Sequence, residues 1–265
     1  MTSGNRLNQP ETSPVNVPGN EANLLWNSAI PTEASTLGHT LVLAPHPDDE
    51  SLGCGGTLAL LRQSGYRVQV VFVSDGTQSH PHSGTYPALR LRNLREAEAL
   101  AALQELGIGP DMATFLRLPD RQVPGVAAAG HTEAATKLAS LIRAFGPTTL
   151  LVPYEKDPHP DHRATYQLLQ TALNQMAAPW PRVLEYIIWL WELAQPADWP
   201  RPDQRKVLQV TIETVTDQKK RAIHAHQSQV SRLIDDDPTA FYLSPELLRH
   251  FDTPHELFLM KPTYL

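Results

Sequence analysis

Four side chains able to do chemistry, His46, Asp48, Asp49 and Glu50, fall within five consecutive positions. More than a hundred residues later, the run Asp157-Pro-His-Pro-Asp-His162 sets two further imidazoles three positions apart. Neighbouring carboxylates repel one another, and a bound divalent cation is the simplest group to offset them. His46 and Asp49 are three apart, as are His159 and His162, so each pair can point to one side if it leads into a helix. Two imidazoles and a carboxylate suit zinc, which in catalytic sites takes three protein ligands and leaves a position for water. The competing view, surface or helix-capping histidines, fits a lone histidine better than it fits His-x-x-Asp together with His-x-x-His.

These residues need elements to bring them together. Leu41 to Ala44 is a short apolar run that reads as a buried strand, with Gly53, Gly55 and Gly56 expected to turn the chain before a helix over about 55–64. A second strand is expected over 66–74, then a polar loop carrying His80 and His82, read as a mobile surface loop. Further expectations are a helix over 89–106, a strand over 114–118, a helix over 132–145, a strand over 148–153 and a helix ending near 176. Beyond these, 183–191, 206–212 and 257–260 read as strands and 218–233 as a helix. Strands separated by helices are the pattern of βαβ units and a parallel sheet, whose ligands bind beyond the carboxyl ends of the strands. His46–Glu50, Asp75 and His159–His162 each follow a different expected strand, so all three should meet at one rim.

Composition sets the outer limits. The chain has 265 residues, 41% of them hydrophobic, and a net charge of −6, which argues mildly against nucleic acid or anionic membrane as a partner. Cys54 is the only cysteine, which excludes an internal disulfide and a cysteine-type zinc site and suits a reducing cytosol. It reads as a small buried residue rather than a nucleophile. No stretch approaches the length of a membrane-spanning helix and no secretory leader is recognisable. Residues 1–36 read as a loosely held N-terminal extension, apart from a short segment around Trp26 able to cover a surface groove, and 37–265 as a single domain.

His46-Pro-Asp-Asp-Glu50 and His159-Pro-Asp-His162 resemble the two signature motifs of the PIG-L/LmbE-like family of zinc-dependent N-acetylglucosaminyl de-N-acetylases. The resemblance extends to Val73-Ser-Asp-Gly76, Arg95-Glu-Ala-Glu98, Leu118-Pro-Asp120, and Lys219, Ala222 and His226-Gln-Ser-Gln229, and so covers roughly 41–260. Pro45 stands where alanine is commoner and Arg121 where the family often has glycine; neither is an expected ligand.

The resemblance implies that His46, Asp49 and His162 bind one zinc per chain and that Asp48 is the general base. One carboxylate must ligate the metal, while its neighbour can accept a proton from the attacking water. Zinc and His159 would stabilise the oxyanion, with Asp161 orienting and charge-stabilising His159. Arg95 would contact sugar hydroxyls, and Glu50 is left between a structural acceptor and a catalytic role. The expected fold class is α/β, a Rossmann-like three-layer sandwich with a mostly parallel central sheet. The expected substrate is a small N-acetylated amino sugar or conjugate, handled in the cytoplasm.

Other functions compete. A hydrolase of another amide or of a phosphoester uses similar residues, but a phosphoesterase usually needs a second metal or a basic phosphate clamp. Gly53-x-Gly55-Gly56 suggests a nucleotide-binding module, yet its spacing is wrong for a dinucleotide fingerprint and the adjacent carboxylates would repel a pyrophosphate. A noncatalytic sugar-binding protein would need neither Asp48 nor His159. His226 is as well explained by packing as by a supporting role at the site, and the run Tyr186–Trp191 reads as a core strand or, less simply, a cleft wall.

Overall fold

The computed structural model describes residues 25–262. In chain order the first half holds β1 (Ile30–Pro31), β2 (Thr40–Ala44), α1 (Asp49–Gln63), β3 (Val68–Ser74), α2 (Ala88–Glu105), β4 (Ala113–Leu118) and α3 (His131–Phe145). The second half holds β5 (Thr149–Pro153), α4 (Pro160–Asn174), β6 (Arg182–Tyr186), α5 (Leu190–Leu193), β7 (Lys206–Thr211), α6 (Thr216–Ala225), α7 (Gln227–Val230), α8 (Pro245–Arg249) and β8 (His255–Met260). The strands form one sheet in the order β1-β7-β8-β6-β5-β2-β3-β4, parallel throughout except where β8 runs against β6 and β7.

Side-chain alternation divides the core into two layers around this sheet. Val42, Ala44, Val70 and Phe72 pack with Leu58, Ala99, Leu103 and Ala222 of α1, α2 and α6. Leu41, Leu43, Val71 and Leu150 pack on the other face with Leu138, Ile142, Leu168 and Leu169 of α3 and α4. Both β2 and β5 are buried at every position, as interior parallel strands covered on two faces must be. From β2 the chain winds outward through β3 and β4, then returns to the opposite flank of β2 as β5. That reversal makes the carboxyl ends of β2 and β5 a switch point, where neighbouring loops diverge and leave a crevice.

Several boundaries differ from those expected, each for a physical reason. Helix α1 begins at Asp49, well before the expected start near 55, so Asp49 and Glu50 occupy the positive end of its dipole. Its glycines therefore do not turn the chain; they admit close neighbours. A β-carbon on Gly53 would sit 2.4 Å from the Tyr186 ring, and one on Gly56 would sit 2.6 Å from Ile212. Gly53→Ala is expected to lower stability by about 1–3 kcal/mol through overpacking, read as a lower denaturant midpoint at unchanged slope.

The expected strand over 183–191 stops at Tyr186, because the Trp189 amide leaves the ladder to donate to Asp157 Oδ2 at 3.1 Å. The expected helix over 218–233 breaks at His226, whose side chain is drawn inward to Glu50. The start of α7 is held by Glu98, which accepts from the Ser228 amide at 2.8 Å and from its hydroxyl at 2.6 Å. Helix α8, unpredicted, is capped by Ser244.

Most of the expected loose extension, residues 1–24, lies outside the described residues. Over 25–36 the chain packs on the domain, starting with the segment around Trp26 that was set apart from the loose extension. Leu25 is buried, Trp26 packs on Trp191 with centroids 5.5 Å apart, and β1 pairs with β7. Apolar side chains on both partners outweigh the polar character of the surrounding sequence.

The loop after β3 is anchored rather than mobile. Asp236 accepts from Ser83 Oγ and the Thr85 amide, and Asp237 from the His82 amide. His80 is buried, with its ring edge-on to Tyr242.

Candidate active site

The turn after β2 and the first turn of α4 meet at the crevice between β2 and β5. The rings of His46 and His159 are 4.8 Å apart by centroids, and those of His46 and His162 are 5.4 Å apart. Asp49 Oδ2 lies 3.3 Å from His46 Nδ1 and also 3.3 Å from His162 Nε2. Two donors each bound at about 2.0–2.1 Å in a tetrahedral zinc site are about 3.3–3.4 Å apart, and both separations from Asp49 have that length. Among the described residues, neither ring nitrogen of fully buried His162 makes a hydrogen bond, the donor arrangement that a metal completes.

The outer nitrogens of both imidazoles are backed by carboxylates. His46 Nε2 lies 3.2 Å from Asp161 Oδ2 and 3.3 Å from Asp120 Oδ1, while His162 Nδ1 lies 3.4 Å from Asp157 Oδ1. Carboxylate backing of this kind fixes the ring orientation of a ligating histidine and raises its basicity. Among the described residues, two sets of three donors lie within 4.8 Å of one another, His46 with His159 and His162, and His46 with Asp120 and Asp161. Most of the alternative donors have other engagements. His159 Nδ1 accepts the Asp161 amide at 3.2 Å, Asp120 accepts from Gln78 at 2.8 Å, and Asp161 accepts from the amides of Arg121 and Val123 at 2.7 and 3.2 Å.

Charge follows from this crowding. Burial works against protonated His162, but Asp49 and Asp157 outweigh it and raise its pKa to about 9. Burial likewise pushes Asp49 up, yet the His162 and His46 partners bring it well below the usual carboxylate range. Asp120 is held low in the same way, by His46. Among the described residues the centre has more carboxylates than fixed cations, the electrostatic setting of a cation site.

Asp48 is turned away from the trio. Its backbone adopts φ 150°, a strained value for a residue with a side chain, held by its amide donating to Glu50 Oε2 at 3.1 Å. Glu50 is fully buried and accepts through Oε1 from Ser51 Oγ at 2.6 Å, with His226 Nε2 at 3.0 Å. Glu50 and His226 therefore support the Asp48 turn. Burial is the largest influence on the Asp48 carboxyl and raises it to about 6, against the pull of Arg95.

Arg95 and Asp161 have partners that the sequence did not show. Arg95 borders the cleft, but its guanidinium is buried and donates to Gly76 O and Pro47 O at 2.8 Å and to Asp48 Oδ2 at 3.1 Å. A buried cation needs such partners, and these contacts hold the Asp48 carboxylate in place. The expected carboxylate–imidazole pair between Asp161 and His159 gives way. The Asp161 carboxylate serves His46 and two amides, and only its backbone amide reaches His159. As the acceptor at that bond, His159 Nδ1 leaves the proton on Nε2. Burial and the neighbouring imidazoles lower the His159 pKa to about 3, favouring a neutral ring.

Above the centre opens a cleft of about 420 Å³, bordered by His46, Asp48, Asp120, His159 and an aromatic wall of Trp189, Phe241 and Tyr242. Trp189 stacks on His159 at 6.3 Å and meets Phe241 at 5.5 Å, so the run after β6 supplies cleft wall as well as core. Asp157 and Asp120 had no assigned role in the sequence, and Trp189 entered only as part of the run Tyr186–Trp191. Besides the motifs Leu118-Pro-Asp120 and Asp157-Pro-His-Pro-Asp-His162, their signal was position, since each follows the carboxyl end of a strand. Cys54 is buried and donates to Glu50 O, as expected of a packing residue.

A covered α/β sheet with carboxylates and imidazoles gathered in a cleft at its switch point is an arrangement suited to a hydrolase. Residues 41–173, half of the chain, match the PIG-L model, GlcNAc-PI de-N-acetylase, and the chain belongs to that family. It is 26% identical over 238 residues to the 1D-myo-inositol 2-acetamido-2-deoxy-alpha-D-glucopyranoside deacetylase of Gordonia bronchialis, covering 72% of this chain and 84% of that one. It is also 26% identical, over 75% of this chain and 86% of the other, to the probable N-acetyl-alpha-D-glucosaminyl L-malate deacetylase 2 of Bacillus cereus. The N,N'-diacetylchitobiose deacetylase from Pyrococcus horikoshii shares the fold, with a TM-score of 0.61 over 84% of each chain at 22% identity. Among the described residues, no helix is long and apolar enough to cross a membrane.

Proposed function

We propose that this protein removes the acetyl group from the amine of an N-acetylglucosamine conjugate, using one zinc held by His46, Asp49 and His162. The observation that carries the reading is Asp49 Oδ2 at 3.3 Å from a nitrogen of each histidine, with Asp48 and His159 bordering the same cleft. Zinc bound there would supply a Lewis acid and a water acidic enough to attack an amide at neutral pH. Asp48 would accept a proton from the attacking water on its carboxylate and return it to the departing amine, so that the amide C–N bond breaks to acetate and a free amino sugar. Arg95 and Glu50 hold Asp48 in place for both transfers. His159 Nε2–H donates to the carbonyl oxygen as negative charge develops, and the neutral ring does so without adding a cation beside the metal. Trp189 offers an apolar face on which a sugar ring can lie.

In this reading 37–265 is the catalytic domain, with 25–36 packed against it. The single buried thiol suits a cytoplasmic setting.

Metal-loaded protein is expected to release acetate from N-acetylglucosaminides, to lose that activity on chelation, and to regain it with about one zinc per chain. Activity indifferent to chelation, or hydrolysis of p-nitrophenyl phosphate in preference to the amide, would replace this reading with another hydrolase.

A further inference from the structure

We propose that Arg121 forms an anion-binding subsite at the mouth of the cleft, selecting amino-sugar conjugates whose aglycone carries a carboxylate or phosphate. The inference rests on the deacetylase reading above and names its substrate class.

The first observation is the backbone. Arg121 sits at φ 61°, in the left-handed region that a residue with a β-carbon adopts only at a cost. The turn itself is needed, because it aims the amides of Arg121 and Val123 at the two oxygens of Asp161, which backs His46. Glycine would make that turn with less strain. A long cationic side chain stands there instead.

The second observation is what that side chain meets. Arg117 also has a left-handed backbone, at φ 57°, but its guanidinium is held by a fork of hydrogen bonds to Glu96 at 2.7 and 2.9 Å. Arg121 is exposed and borders the cleft, and among the described residues its guanidinium makes neither an ion pair nor a hydrogen bond. The other cation bordering the cleft, Arg95, is committed to Asp48 and two carbonyls. Arg121 is thus the one guanidinium at this cleft, among the described residues, with its donors free for an incoming group. A planar fork of donors matches carboxylate or phosphate oxygens.

The test compares the carboxymethyl and 2-phosphoethyl glycosides of N-acetylglucosamine with the neutral carbamoylmethyl glycoside. Wild-type, zinc-loaded protein should favour at least one anion in kcat/KM, and the favoured one identifies the oxyanion. Arg121→Gln should lower kcat/KM for that anion by about tenfold, mainly through KM, and leave the neutral glycoside unchanged. Arg121→Gly should lose the same preference without a lower melting temperature, since the strained backbone is relieved. Equal losses on charged and neutral glycosides, or no preference in the wild-type protein, would overturn the proposal. So would a fall in melting temperature for Arg121→Gln with the anion preference intact, which would make the arginine structural. Should no glycoside be hydrolysed, the deacetylase reading fails. Calorimetric binding of the same three compounds then still reads the subsite, and a wild-type preference retained in Arg121→Gln overturns it.

Discussion

Asp48→Asn is expected to lower kcat for N-acetylglucosaminide hydrolysis by about 10²–10⁴-fold while the protein keeps about one zinc per chain. The amide is nearly the size of the carboxylate and its oxygen can still accept from Arg95 Nη2, which lies 3.1 Å from Asp48 Oδ2. The backbone contact to Glu50 Oε2 involves the Asp48 amide and is untouched by the substitution. What disappears is the capacity to take a proton from water and pass it to the leaving amine. Because the Asp48 carboxylate engages Arg95, while Asp49 faces His46 and His162, metal content should not follow activity. Acetate release with metal analysis on the same preparation makes the check. Unchanged turnover would remove Asp48 from its role, and loss of metal would make it a ligand.

The second large effect belongs to the metal. Asp49→Ala is expected to leave the purified protein with almost no zinc and no measurable turnover. The substitution removes the oxygen that lies 3.3 Å from both imidazoles, leaving only two of the three ligands that catalytic zinc sites use. Wild-type protein should melt higher with zinc than after chelation, because a ligand that binds only the folded chain stabilises it, and that difference should vanish in Asp49→Ala. Asp157→Asn should act more mildly and in a graded way. Asp157 backs His162 Nδ1 at 3.4 Å without touching the metal position, so zinc affinity should fall by about 10–100-fold in a competition with a chelator. If Asp49→Ala bound zinc as tightly as the wild type, the trio of His46, Asp49 and His162 would be the wrong set.

Much of the architecture was legible along the chain because buried parallel strands carry unbroken apolar runs. Thr40–Ala44, Val68–Ser74 and Thr149–Pro153 all stand within two residues of where that pattern put them. The common rim of the site was equally legible, since alternating strands and helices send the loops after successive parallel strands to one edge. The places where local pattern misled are those where a distant partner decides. Gly53, Gly55 and Gly56 look like a turn, and only the approach of Tyr186 and Ile212 shows that two of them make room in a helix. The run 218–233 has a helical pattern, and only Glu50, far away in sequence, explains why it breaks at His226.

By itself, then, the sequence determined the strand–helix order, the pairing of His46-x-x-Asp49 with His159-x-x-His162, and so the chemistry that cluster could support. Tertiary structure decided how the remaining groups are shared out. It committed Arg95 to Asp48, moved Asp161 from His159 to His46, brought Asp120 and Asp157 behind the imidazoles, and left Arg121 at the cleft mouth without a side-chain partner among the described residues. The reason is the range of the interactions. Apolar periodicity and residue spacing act within one element, whereas a buried charge takes whichever partner the fold brings within hydrogen-bonding distance.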